Sequence, residues 1–151
     1  MTQEQKDILL KDLCARLPYG VKVCNITDDM ISSLILIGIH RDTIVLQRDD
    51  EYEIAEVDEV KPYLFPISSM TEEQKEEYYS LADDVTLKRG QGSYLGIKIH
   101  CIKLGISDNP HEGVWDDVDL DAIDWLNKNH FDYRGLIEKG LAIDATGKNI
   151  Y

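Results

Sequence analysis

The chain has 151 residues and a formal net charge of −13. That length suits one domain, 1–151, which can remove roughly 70% of its unfolded surface from water. Hydrophobic residues make up 43%, which excludes bulk disorder, and the acidic balance argues against direct contact with DNA, RNA or an anionic membrane, because phosphate contacts need clustered Lys and Arg.

The longest apolar run, Leu34-Ile35-Leu36-Ile37-Gly38-Ile39, is far short of the roughly 20 residues of a membrane span. The first residues, MTQEQKDILLKDL, lack the basic start and apolar stretch of a secretory signal. A cytoplasmic protein is therefore expected. Three widely spaced cysteines, Cys14, Cys24 and Cys101, suit buried free thiols in a reducing compartment.

The elements follow in chain order. Thr2 and Gln5 have capping-box spacing. Ile8, Leu9, Leu13 and Leu17 then recur on one helical face, and Pro18-Tyr19-Gly20 ends that helix. Residues 21–26 alternate as a half-buried strand. Residues 33–40, apolar and rich in β-branched side chains, read as a central strand. Residues 43–47 return after a turn at His40-Arg41-Asp42. Tyr52, Ile54, Val57 and Val60 supply a further irregular strand. Either an open barrel of the SH3 or Sm type or a simple meander fits this pattern.

Pro62 and Pro66 hold residues 61–70 extended. Thr71 and Gln74 form a second capping box, followed by a short helix that buries Tyr78 and Leu81. Leu95, Ile97, Ile99 and Cys101 alternate, which favours a strand there. Asp116 or Asp119 caps a last helix through Asn129, with Leu120, Ile123 and Leu126 inside and Trp125 as an anchor; Trp115 staples its entry. Neither an internal repeat nor a linker composition interrupts the chain. The fold class expected is α+β: an N-terminal helix, a small antiparallel sheet, then helices packed on it.

Motifs that carry chemistry were tested against their physical requirements. Gly140 to Lys148 imitates a phosphate loop, but six residues separate its glycines and Asn149 follows the lysine, where four residues and a Ser or Thr are needed. Asp117-Val118-Asp119-Leu120-Asp121 imitates a calcium loop, but Ala122 stands at the glycine position and Lys128 at the final glutamate. His100 and Cys101 point to opposite faces of a strand, and their spacing from His40 and His111 is not that of a zinc site. A nucleophile elbow is missing as well. No residue nominates itself for catalysis, so the reading leans away from an enzyme, and neither cofactor nor metal is expected.

Two blocks and a tail carry a resemblance. The blocks are KPYLFPISSMTEE (61–73) and DWLNKNHFDYRGLI (124–137), and the tail is residues 140–145. They resemble a family of small uncharacterised proteins of gut Bacteroidetes and their phages and prophages. The resemblance implies a phage or mobile-element accessory protein and imports no activity.

Four residues stand out as contacts for a ligand or partner: Arg134, His130, Tyr63 and Phe65. Arg134 presents a planar fork suited to phosphate or carboxylate, although pairing with Asp132, Glu138 or helix-end carbonyls is the first reading, since a surface arginine is usually solvated or loosely paired. Tyr63 and Phe65, between prolines, read first as lids over a core and second as recognition aromatics. Asn129 and His130 read as a helix ending, Phe131 and Tyr133 as an extended link, and Gly135 as a bend. The leading expectation is a regulatory protein acting through protein–protein contacts. The alternatives are an acidic anti-defence inhibitor or nucleic-acid mimic, and a small-ligand binder or enzyme with a site near Arg134. Expected partners are proteins, without direct nucleic acid and without membrane.

Overall fold

A computed structural model describes residues 1–27, 33–81 and 120–151. They fall into two compact units. One comprises Met1–Leu64 with Leu136–Tyr151, and the other Phe65–Gly135. The architecture is α+β, with an N-terminal helix, an open and mostly antiparallel sheet, and later helices.

In the first unit, helix α1 spans Gln3–Arg16. The expected capping box closes its start: the Thr2 hydroxyl accepts from the Gln5 amide at 3.3 Å, and the Gln5 side chain accepts from the Thr2 amide at 2.9 Å. Thr2→Ala removes that acceptor and is expected to lower stability by about 1 kcal/mol, read as a shifted urea midpoint with an unchanged slope. A short 3₁₀ turn, Leu17–Tyr19, follows, and Gly20 stops it at φ +60°. That left-handed conformation strains any side-chain-bearing residue.

The sheet runs β4-β3-β2-β1-β5. Its strands are β1 (Lys22–Asn25), β2 (Leu34–His40), β3 (Thr43–Arg48), β4 (Glu51–Glu56) and β5 (Val60–Pro66). Adjacent pairs in this order are antiparallel. The irregular strand expected over 52–60 is two strands, separated by a 3₁₀ turn at Val57–Glu59. Residues 61–66, expected only to be extended, belong to β5, whose Lys61 and Pro62 pair with Cys24 and Val23 of β1. A short strand, β7 (Ile143–Asp144), lies parallel to Tyr63 and Leu64 of β5. The core joins Leu9 and Leu13 of α1 to Leu34, Leu36, Ile44 and Leu46 of the sheet and to Leu136 and Leu141. Cys24 is buried but Cys14 is exposed, which corrects the expectation of buried thiols there. Cys14 follows Leu13 by about 100° around the helix and so leaves the core face.

In the second unit, the 3₁₀ turn Ile67–Ser69 leads to helix α2 (Glu72–Leu81) and, later, α3 (Leu120–Lys128). Thr71 and Gln74 exchange the reciprocal bonds of the second capping box. The unit's core is aromatic. Tyr78 meets the edge of Trp125 at 5.8 Å, and Trp125 stacks on Phe131 at 5.6 Å. Trp125 is thus a core residue. Strand β6 (Phe131–Asp132) pairs in parallel with Phe65 and Pro66. The strand expected over 95–101, the caps at Asp116 or Asp119, Trp115, and the sites considered at His100, Cys101 and His111 lie outside the described residues.

Candidate functional site

The candidates Arg134 and His130 sit in a polar segment inside the second unit. Asn127, His130, Asp132 and Arg134 are all buried, beside buried Tyr133. Buried polar groups are costly without hydrogen bonds, and several bonds here belong to the fold. His130 takes φ +58° just beyond α3, and its amide bonds the Asn127 carbonyl at 3.1 Å. This is the inner bond of a Schellman-type helix ending. Its carbonyl accepts from the Phe65 amide at 2.9 Å. Histidine tolerates this left-handed conformation better than a β-branched residue would.

Arg134 is only 8% exposed. Its guanidinium lies over the Tyr133 ring at 4.8 Å and donates to the Tyr133 hydroxyl at 3.1 Å. That hydroxyl in turn donates to the Asn127 side-chain carbonyl at 2.7 Å. A chain of contacts therefore ties the end of α3 to the residue before Gly135, which turns at φ +68°.

Phe65 belongs with this segment. Its ring meets Phe131 at 6.3 Å, and it is half-buried. Tyr63 belongs to the first unit and is buried. Burial holds its hydroxyl above the ordinary phenol range, and the Cys24 thiol beside it pushes the same way. The structure thus brings Phe65, His130 and Arg134 into one unit and places Tyr63 in the other.

Two polar arrangements in the first unit escape a sequence reading. Asp12 and Arg16, one helical turn apart on α1, are both 0% exposed. The arginine Nε and Nη2 bond the two carboxylate oxygens at 2.7 and 3.1 Å. An i,i+4 acid–base pair is normally taken for a surface feature.

The second arrangement is at Tyr151. Its hydroxyl donates to the Tyr63 carbonyl at 2.8 Å and accepts from the Lys22 amide at 3.1 Å. The Lys22 ammonium lies over the ring at 5.8 Å and donates to the Ile150 carbonyl. Burial raises the Tyr151 hydroxyl to about 12. A raised folded value means that the contribution of this contact is complete below the unfolded phenol value of about 10 and is lost as pH rises from there through about 12. In a phenolate absorbance titration, Tyr151→Phe is expected to abolish a late-titrating phase near pH 12.

The outer face of β2–β4 carries exposed apolar side chains. Register sets it. Leu36 pairs with Leu46 and Ile44 with Ala55, all facing the core. The alternate rows, Ile35–Gln47–Tyr52 and Gly38–Val45–Ile54, therefore face outward. A bulge at Ile37 resets β2, so Ile39 packs inward while Ile37 faces out. Tyr52 is 67% exposed, Ile54 74%, and Ile35 and Ile37 each 39%. Tyr52 and Ile54 lie on this outer face while Ala55, between Ile54 and Glu56, faces the core, because the parity of the pairing with β3 assigns the faces.

Among the described residues, no three His, Cys, Asp or Glu side chains gather as a metal site requires. No described helix is long and apolar enough to cross a membrane. No family model, curated protein or solved structure matches the chain.

Proposed function

We propose that this protein is a non-catalytic accessory or regulatory protein that works through protein–protein contacts, with the outer face of β2–β4 as its docking surface. The observation that carries this reading is that Ile35 and Ile37 of β2 and Tyr52 and Ile54 of β4, all exposed, share one face of the sheet with Val45 of β3 between them. Isolated exposed apolar residues are ordinary, but a contiguous patch marks a contact surface. The sequence of β2 supports the same reading, because an unbroken apolar run is typical of a strand covered on both faces. A cytoplasmic setting and the resemblance to phage-associated proteins of gut Bacteroidetes are part of the proposal.

The test uses a photocrosslinking amino acid at position 54 of the full chain, expressed in its host. One discrete protein adduct is expected there, and none from the same group at Glu4 on α1, which packs on the core side of the sheet. Equal labelling at both positions, or none at 54, would refute the docking surface.

A further inference from the structure

Building on that docking reading, we infer that the partner contributes a basic, extended segment that adds to β4 as a strand, its apolar side chains alternating with Lys or Arg. β4 ends the path of the sheet, and among the described residues it pairs with β3 alone. An added strand would meet a period-two pattern. Tyr52 and Ile54 face outward, and Glu51 and Glu53 alternate with them on the opposite face. Asp49 and Asp50 precede the strand and Glu56 ends it, and all three are exposed. Across residues 34–56, six carboxylates stand against two arginines, and one of these, Arg48, is held by Glu53 at 3.2 Å. Cross-strand neighbours share a face, so residues opposite Tyr52 and Ile54 would be apolar and those opposite Glu51 and Glu53 basic.

The same charges argue against a second copy as the occupant. Two β4 strands side by side would bring glutamates against glutamates, and like charges on an edge strand discourage such pairing. An oppositely charged strand gains from the field that repels a copy. Main-chain bonds along β4 would supply affinity, and the alternating side chains specificity.

The probe is a ten-residue peptide of alternating valine and lysine, titrated into the full chain. Two controls accompany it: the same residues in two blocks, and alternating valine and glutamate. The alternating basic peptide is expected to bind, to slow hydrogen exchange at the β4 amides, and to weaken as salt rises. Ile54→Ser and Glu51→Lys are each expected to weaken it about tenfold or more.

Equal binding of the block peptide would overturn the inference, since charge alone would then suffice. So would dimerisation of the free chain with protection of the same amides, which would make the occupant a second copy. Resistance of Ile54→Cys to thiol labelling in the free monomer would do the same, by showing this chain covering its own face. If a crosslinker at position 54 captures a partner while the alternating peptide does not bind, the docking surface stands and the strand-addition inference falls.

Discussion

Asp12→Ala is expected to remove about 3–5 kcal/mol of stability, because it leaves the Arg16 guanidinium buried without its carboxylate. Both side chains are 0% exposed, and two bonds of 2.7 and 3.1 Å join them. The pair's own worth is a different quantity. Desolvating both ions offsets much of their attraction, so an apolar pair of similar volume can match it. Asp12→Leu with Arg16→Met is therefore expected to recover most of the loss. Since a domain is stabilised by only about 5–15 kcal/mol in total, the single variant will also unfold at much lower urea. Tyr151 gives a second readout. Asp12 helps to raise its hydroxyl and Arg16 opposes that effect, so Asp12→Ala should move the late phenolate phase to lower pH. A single-variant loss below about 1 kcal/mol would show the pair to be a solvated surface contact.

Arg134→Ala is expected to cost about 2–4 kcal/mol, from lost packing over the Tyr133 ring and a hydrogen bond lost from its hydroxyl. Arg134→Lys should restore less than half of this. A lysine carries the charge but neither the planar stack nor the fork. Unfolding followed by Trp125 fluorescence reports on the right unit, since that ring packs in the same aromatic cluster as Phe131. The size of the loss separates two roles. A guanidinium that organises the 127–134 segment destabilises the unit when removed. One held for a phosphate or carboxylate ligand would leave stability unchanged when removed.

Local signals in the sequence carried over to the structure where the decisive contact is also local. Both capping boxes lie within four residues, and both form as the Thr–Gln spacing implies. Gly20 and Gly135 take positive φ where a helix stops and a bend was expected. The α+β class follows from the order of periodicities. What was not legible depends on partners distant in sequence. The sequence does not show which face of β4 meets the core, because E-Y-E-I-A-E alternates either way; the pairing of Ile44 with Ala55 decides it.

The Asp12–Arg16 pair has the spacing of an exposed helix pair, and only tertiary packing buries it. Arg134 reads from the sequence as a partner for Asp132, Glu138 or helix-end carbonyls, or for a ligand, and its stacking over the ring of its own neighbour Tyr133 is a contact that spacing does not announce. The parallel pairing of β7 with β5 joins residues about eighty apart in sequence, beyond the reach of any local pattern.

Under the proposed function, a partner covers the outer face of β2–β4, where Ile35, Ile37, Tyr52 and Ile54 are exposed. Ile54→Asp tests it most directly, with thermal unfolding and crosslinked-partner capture measured on the same full-length chain. Ile54 faces outward at 74% exposure, so stability should stay within about 0.5 kcal/mol of the unsubstituted chain. Capture through a crosslinker at the neighbouring Tyr52 position should be lost. Undiminished capture by a normally folded Ile54→Asp chain would contradict the account.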